Sequence, residues 1–129
     1  MTFARQGLGR FAERFAASRL AAEGFSIVAR NARVRTPEVI GEIDLVALEG
    51  EVLVFVEVKA GRVGASAGPE RPALAVGARK RRRLRRLARA WLAEAGALPS
   101  FAGLRFDVVG VRVDARGRVV AYEHLRGAF

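Results

Sequence analysis

Residues 41–59 read Gly-Glu-Ile-Asp-Leu-Val-Ala-Leu-Glu-Gly-Glu-Val-Leu-Val-Phe-Val-Glu-Val-Lys, and this stretch decides the fold. It predicts a hairpin of two strands that turn at Gly50, each apolar on both faces, as is typical of central strands covered on both sides. The exceptions are Asp44, Glu57 and Lys59. A buried carboxylate is costly unless it is paired or holds a cation, so these residues are candidates for a functional site.

The length of the turn decides whether these charges meet, because side chains alternate across a strand. A two-residue loop beginning at Gly50 places Asp44 directly opposite Glu57, and Glu42 opposite Lys59. A three-residue loop would separate the two carboxylates by the thickness of the sheet. A functional site therefore requires a loop with an even number of residues, or a bulge that restores the alternation of side chains.

The composition is that of one globular domain over residues 1–129, with a hydrophobic fraction of 51%. The chain has no cysteine, which excludes disulfides and thiolate zinc sites and suits a reducing cytoplasm. No apolar run reaches the ~18 residues of a membrane span. The N-terminus lacks the apolar segment of a secretory signal. These features predict a cytoplasmic protein with no membrane partner.

A basic segment carries most of the formal net charge of +10. Residues 79–90 contain no acidic side chain and eight basic ones: Arg79, Lys80, Arg81, Arg82, Arg83, Arg85, Arg86 and Arg89. They fall in a helix predicted over 77–95, whose positive N-terminal end makes such charge unfavourable unless an anion docks there. A nucleic-acid backbone would supply that anion, and the alternative is a solvated arginine-rich face. Lys80 lies one turn before Leu84 of the buried stripe and could reach inward.

Hydrophobic periodicity and turn signals predict an α/β protein in the order αβββαββ, with helices on a mixed sheet. Outside the hairpin, the predicted elements are helices over 4–23 and 77–95 and strands over 25–30, 104–113 and 119–125. A polar connection is expected over residues 31–40. Residues 60–78, rich in glycine and proline, predict a mobile loop directly after Lys59. The strand before the second helix and the strand after it form a crossover and should be parallel.

The charged residues of the hairpin suit phosphodiester hydrolysis. Asp44 and Glu57 can hold a hard divalent cation through oxygen ligands, and the carbonyl of Val58 can add another. The cation would polarise the phosphate and lower the pKa of a bound water. Lys59 would orient that water or stabilise the charge of the transition state. The alternative is a buried ion pair of Lys59 with Asp44 or Glu57 that carries no chemistry.

Two further glutamates have open roles. Glu13 lies at the edge of the buried face of the first helix, beside small residues that would let it approach the sheet. It would either complete the coordination of the cation or remain a solvated partner of Arg10 or Arg14. Glu42 would be a ligand, a partner of Lys59 or an edge charge.

Two features of the C-terminal third are predicted to be structural. Arg105 and Asp107 share one face of a strand, which predicts an ion pair. His124 is the only histidine, lies far from the hairpin in sequence, and is expected at the surface.

Gly41-Glu42-Ile43-Asp44-Leu45, followed by Phe55-Val56-Glu57-Val58-Lys59, resembles the YraN family of small bacterial proteins. The resemblance covers nearly the whole chain. Further matches are Glu13 and Gly24 of the first helix, Asn31 and Arg33 after the first strand, Lys80 and Leu84 of the second helix, and Arg105-Phe106-Asp107-Val108-Val109. The family is predicted to consist of endonucleases of the PD-(D/E)XK, or restriction-endonuclease-like, superfamily, close to archaeal Holliday-junction resolvases.

The resemblance implies a restriction-endonuclease-like fold with Asp44, Glu57 and Lys59 as the catalytic core. Glu13 corresponds to the helix carboxylate of the resolvase branch. It further implies Mg²⁺ or Mn²⁺ as the cofactor and branched or structured DNA as the substrate. A homodimer is plausible because a four-way junction needs two cuts. The alternative is a non-catalytic nucleic-acid-binding module, or a scaffold, that retains the fold.

Overall fold

A five-stranded mixed sheet forms the centre of the described chain, with one α-helix on each face. The computed structural model describes residues 5–64 and 72–129. Its elements are α1 (Arg5–Ala22), β1 (Ser26–Arg35), β2 (Ile40–Glu49), β3 (Val52–Arg62), a 3₁₀ helix (Pro72–Ala75), α2 (Ala78–Glu94), β4 (Gly103–Val113) and β5 (Val119–Leu125). The predicted α/β class and the order αβββαββ are confirmed. Neither α-helix in these ranges is long and apolar enough to cross a membrane.

The strands lie in the sheet in chain order, from β1 at one edge to β5 at the other. β3 and β4 are parallel, as the crossover through α2 requires, and the other neighbouring pairs are antiparallel. β3, which carries Glu57 and Lys59, is therefore the central strand.

The hairpin of β2 and β3 has the two-residue turn. Glu49 pairs with Val52, and Gly50 has a φ of +60°, which glycine adopts without steric cost. The ladder continues to the pair of Leu45 and Val56, where it ends. The side-chain alternation that the functional site requires is therefore present up to the point where the two strands separate.

Two hydrophobic cores lie on opposite faces of the sheet. On one face α1 packs against the sheet through Leu8, Ala12, Ala16, Ala17 and Leu20. On the other face α2 packs through Leu84, Leu87 and Ala88. Strict alternation along β2 would place Ile43 on the same face as Leu45, but Ile43 belongs to the α2-side core. The alternation of β2 is interrupted at Asp44, where β2 leaves β3.

The connection expected over residues 31–40 is for the most part strand, so that expectation is wrong. β1 continues to Arg35, and a tight turn leads into β2. The Thr36 hydroxyl accepts hydrogen bonds from the amides of Glu38 and Val39, at 3.2 and 3.1 Å, and closes this turn around Pro37. Because the Thr36 side chain hydrogen-bonds within its own turn, β1 and β2 pair without a long loop.

Regular structure occupies both ends of the segment 60–78, for which a mobile loop was predicted. β3 runs on to Arg62 and pairs with β4 as far as Val113. The 3₁₀ helix occupies Pro72–Ala75, and α2 begins at Ala78. Residues 65–71 lie outside the described residues, and the mobility of the segment stays a prediction.

Two glycines let neighbouring layers approach closely. A Cβ on Gly41 would lie 3.1 Å from both Cδ atoms of Leu87 and 2.8 Å from the Arg83 guanidinium, so α2 lies directly on β2. A Cβ on Gly110 would lie 2.8 Å from the backbone nitrogen of Ala73, so the 3₁₀ helix lies directly on β4. A side chain at Gly110 would push the 3₁₀ helix away from β4, whereas a side chain at Gly41 would require Arg83 and Leu87 to move.

Candidate functional site

The candidate site lies where β2 and β3 separate. The ladder ends at Leu45 and Val56, and the next residue of β2, Asp44, accepts a hydrogen bond at Oδ2 from the Val58 amide at 2.8 Å. The Asp44 side chain thus replaces a main-chain partner at the fork. The carboxyl groups of Asp44 and Glu57 also hydrogen-bond each other.

A cleft of about 270 Å³ opens at this fork. It is lined by Glu13 of α1, Glu42 and Asp44 of β2, Glu57, Val58 and Lys59 of β3, and Lys80, Arg83, Leu84 and Leu87 of α2. The structure therefore brings together every residue that the sequence singled out for catalysis or cation binding. Their chemical roles stay predictions. From the basic run of α2, Lys80 and Arg83 reach the cleft.

The ionisation of Asp44 is strongly perturbed. Burial raises the pKa of Asp44 to about 9, and the neighbouring Glu57 carboxylate adds to the rise. The hydrogen bond from the Val58 amide acts in the opposite direction but does not compensate. In the absence of a cation, Asp44 therefore holds a proton at neutral pH.

Three carboxylates meet on the α1 side of the cleft. Ligand oxygens of Glu13, Glu42 and Asp44 all lie within 4.8 Å of one another. The Arg10 guanidinium lies 3.2 Å from Glu13 Oε1 and 3.3 Å from Glu42 Oε1. The contact of Glu13 with Arg10 that the sequence allowed is therefore present, and Glu13 lines the cleft at the same time. Glu42, whose role was open, belongs to this carboxylate cluster.

Asn31 is a site residue whose role the sequence did not indicate. Its Nδ2 donates to Glu13 Oε1 at 2.7 Å and to Glu42 Oε1 at 3.0 Å. It has a φ of +47°, the left-handed region that asparagine tolerates better than most side chains. An amide group thus holds two carboxylates side by side. The sequence singled out Asn31 only as one of the matches to the YraN family.

The two lysines of the chain meet at Glu57. Lys80 Nζ lies 2.6 Å and Lys59 Nζ 3.6 Å from Glu57 Oε2, on a side chain that is 5% exposed. Burial and the neighbouring Lys80 lower the pKa of Lys59. Burial is the largest single effect on Lys80 and acts to lower its pKa, but the contacts of Lys80 with Glu57 and the other groups of the cleft together outweigh burial and raise the pKa. The inward reach predicted for Lys80 is confirmed, and so is a buried ion pair at Glu57.

The cleft fits a hard divalent cation. Such cations take carboxylate oxygens, and the oxygens of Glu13, Glu42 and Asp44 are close enough to share one. Glu57 extends the set through its contact with Asp44. Buried carboxylates in contact repel each other when both are ionised, and a cation between them removes that repulsion. The Val58 amide points to Asp44, and the predicted Val58 carbonyl ligand stays a prediction.

The arginines of α2 divide into two groups. The side chains of Arg81, Arg83 and Arg86 donate to main-chain carbonyls, those of Val76, Ile40 and Glu38 respectively. Within residues 5–64 and 72–129, Arg79, Arg82 and Arg89 have no ion pair and no side-chain hydrogen bond. They are exposed, and their spacing places them on one side of the helix. The seventh arginine, Arg85, lies 5.5 Å from the centroid of the Phe129 ring. Arg79, Arg82 and Arg89 are therefore the arginines of the run that face solvent without such a contact among the described residues.

A second charged cluster lies on β4 and β5. Arg105 contacts both oxygens of Asp107, at 2.8 and 2.9 Å, and confirms the predicted ion pair. His124 Nε2 lies 2.7 Å from Asp107 Oδ2, on a side chain only 10% exposed, so the surface position expected for His124 is wrong. The pairing of β5 with β4 brings this ring to the buried carboxylate. Burial acts to raise the pKa of Asp107, but hydrogen bonds from His124 and Arg105 outweigh it and lower the pKa to about 2.

The fold and the cleft define a small α/β protein with carboxylates and lysines gathered at the fork of a central hairpin. Residues 12–111 match the uncharacterised protein family UPF0102. A UPF0102 protein of Streptomyces griseus is 49% identical over 124 residues, covering 96% of this chain and 97% of the relative. A UPF0102 protein of Pelotomaculum thermopropionicum is 43% identical over 129 residues, covering 100% of both chains. The chain belongs to the UPF0102 family, and the resemblance to YraN proteins is confirmed.

Proposed function

We propose that this protein is a divalent-metal-dependent endonuclease that hydrolyses phosphodiester bonds in branched or structured DNA. The observation that carries the proposal is the meeting of Asp44, Glu57 and Lys59 at one fork. The two carboxyl groups hydrogen-bond each other, and Lys59 Nζ lies 3.6 Å from Glu57 Oε2. Buried carboxylates in contact, with an ammonium beside them, form a donor set suited to cation-assisted phosphoryl chemistry.

The residues of the cleft would have different roles in such a reaction. Asp44 and Glu57 would hold Mg²⁺ or Mn²⁺, with Glu13 and Glu42 on the α1 side. When bound, the cation would neutralise phosphate charge and lower the pKa of a water. Lys59 would donate a hydrogen bond to a phosphoryl oxygen whose negative charge grows in the transition state.

The exposed arginines of α2 would bind the DNA backbone. Arg79, Arg82 and Arg89 face solvent on one side of the helix, and Arg83 leads from that helix into the cleft. Phosphate contacts of this kind fix the position of a duplex without reading its sequence. A protein with such a surface suits a substrate defined by its shape, and a homodimer would supply the two cuts that a four-way junction needs.

A second candidate function is a nucleic-acid-binding module without turnover. The ion pair of Lys80 with Glu57 favours it, because this contact compensates the carboxylate without any cation. In that case the cleft is a structural ion-pair network, and the arginines of α2 carry the function.

Cleavage assays on labelled linear, flapped and four-way DNA, with Mg²⁺ or Mn²⁺, separate the two functions. The wild type is compared with Glu57→Gln, and with Glu94→Gln as a control that removes the same charge from an exposed position near the end of α2. A nuclease cuts at least one branched substrate in the wild type and the control, and the Glu57 variant loses this cleavage. Equal binding of DNA by all three proteins, without cleavage, would establish the binding module.

A further inference from the structure

Lys80 occupies an electrostatically unfavourable position on its own helix. It lies in the first turn of α2, and Gly77, which precedes the helix, provides no side-chain cap. The N-terminal end of a helix carries partial positive charge, so an ammonium there is disfavoured. The contact with Glu57 at 2.6 Å offsets this effect. Lys80 is thus retained in place chiefly by one carboxylate.

Lys80 and Glu57, the two partners of this contact, differ in how freely their side chains can move. The side chain of Lys80 is 41% exposed, whereas that of Glu57 is 5% exposed on the central strand. A half-exposed lysine on a flexible stem can turn into solvent, but a buried glutamate cannot follow it. If another cation takes over the charge of Glu57, Lys80 is the group that leaves.

The carboxylates of the cleft are compensated without any metal. The basic side chains there, those of Arg10, Lys59, Lys80 and Arg83, are at least as many as the ionised carboxylates. A divalent cation added to this set leaves positive charge in excess. Phosphate groups of a bound nucleic acid would remove the excess, and an ammonium released from Glu57 would be free to contact one of them.

We propose that Lys80 takes the place of the metal in the metal-free protein, where its ammonium group compensates the charge of Glu57. When the cation binds, the Lys80 side chain leaves Glu57 and contacts a DNA phosphate. This inference rests on the proposed function, because it requires a metal site at Glu57. It makes the binding of metal and of DNA mutually favourable, since each neutralises charge that the other leaves uncompensated. The metal-free cleft then has low cation affinity until nucleic acid arrives.

The test measures Mn²⁺ affinity of the protein alone by electron paramagnetic resonance of free and bound Mn²⁺. Lys80→Met removes the competing charge, and we expect it to bind Mn²⁺ on the order of tenfold more tightly than the wild type. Lys80→Arg keeps the charge and should bind like the wild type. The matched control is Arg14→Met, which removes an exposed positive charge beside Glu13 in sequence. Its Mn²⁺ affinity should also equal that of the wild type.

A second arm repeats the titration on ice with a short DNA duplex present. DNA should tighten Mn²⁺ binding to the wild type severalfold, and much less in Lys80→Met, where the competition is already gone. Equal Mn²⁺ affinities of the wild type and Lys80→Met without DNA would overturn the inference, and so would an equal effect of DNA on the Mn²⁺ affinity of the two proteins.

The same measurement on Asp44→Asn separates this inference from the proposed function. If the wild type binds Mn²⁺ specifically and Asp44→Asn does not, the metal site stands whatever the Lys80 variants do. If the wild type and Asp44→Asn bind Mn²⁺ equally, the cleft holds no metal, and both the proposed function and the proposed role of Lys80 fail.

Discussion

The side chain of Asp44 is hydrogen-bonded to the main chain of Val58, with Oδ2 2.8 Å from the amide nitrogen. One carboxyl group thus closes the fork of the central hairpin and also lines the cleft beside Glu57. The two roles make different demands, because the first needs only an acceptor and the second needs a negative charge. Substitutions that keep one property and remove the other can therefore separate structure from function.

Asp44→Asn keeps an acceptor for the Val58 amide and removes the charge. We expect its unfolding free energy, without metal, to stay within about 1 kcal/mol of the wild type, because the buried carboxyl it replaces is already protonated at neutral pH. Asp44→Ala leaves the amide unpaired and should lose about 1–3 kcal/mol. Both should lose specific Mn²⁺ binding. Urea denaturation provides the stabilities, and equal losses in the two variants would contradict the structural role of the hydrogen bond.

Substitutions of Asn31, on the α1 side of the cleft, can separate the effect of its hydrogen bonds from the effect of its backbone conformation. Replacement by Gly or by Ala removes the hydrogen bonds to Glu13 and Glu42, but only Gly adopts the φ of +47° freely. We therefore expect Asn31→Ala to be less stable than Asn31→Gly by about 1–2 kcal/mol. Thermal and urea unfolding of the two variants check this. An alanine variant as stable as the glycine variant would mean that the segment relaxes out of the left-handed conformation.

The sequence predicted the central hairpin because its deciding features are local. Gly50 supplies the positive φ of a two-residue turn, and the turn length then fixes which side chains share a face. The position of Lys80, one turn before Leu84, was likewise enough to direct it inward. These predictions required only the alternation of side chains along a strand and the spacing of residues along a helix.

The predictions that were wrong depend on contacts between distant parts of the chain. His124 is buried because β5 pairs with β4 beside Asp107, and nothing near His124 in sequence indicates that neighbour. Ile43 changes face because β2 leaves β3 at Asp44, which periodicity cannot foresee. The end of β1 was misplaced because Pro37 signals a break, whereas Thr36 closes the turn with its own hydroxyl.

Gly110 should be intolerant of any side chain. A Cβ there would lie 2.8 Å from the backbone nitrogen of Ala73, and backbone cannot yield as a side-chain tip can. We expect Gly110→Ala to lose about 1–3 kcal/mol of unfolding free energy through overpacking. Gly103→Ala, on the same strand, is the control, because its Cβ would approach only Val52 Cγ2, at 4.0 Å. Equal stability of the two variants by urea unfolding would contradict the tight packing of the 3₁₀ helix on β4.

Asp107 should make the stability depend on pH in the acid range. Its pKa in the folded protein is about 2, below the usual value of 3.8, so its ionised form is favoured by folding. The stabilisation is fully present above about pH 4 and is lost as the pH falls toward 2; the shift corresponds to on the order of 2 kcal/mol. Urea unfolding of the wild type and Asp107→Asn from pH 6 to pH 2 measures it. The difference between the two should shrink between about pH 4 and pH 2, and a constant difference would show that Asp107 does not titrate with folding.

The arginines of α2 should contribute unequally to DNA binding. Arg79 and Arg82 face solvent without a partner among the described residues, whereas Arg81 and Arg86 donate to main-chain carbonyls. Only a side chain that reaches a phosphate releases counterions, so it alone steepens the dependence of affinity on salt. We expect the double variant Arg79→Gln/Arg82→Gln to reduce the slope of log Kd against log salt concentration by about 2, and Arg81→Gln/Arg86→Gln to reduce it by less. Fluorescence anisotropy of labelled DNA in EDTA measures both slopes without cleavage. Since the two double variants remove the same charge from one helix, equal slopes would mean that the net charge of α2, and not the direction of its arginines, attracts the nucleic acid.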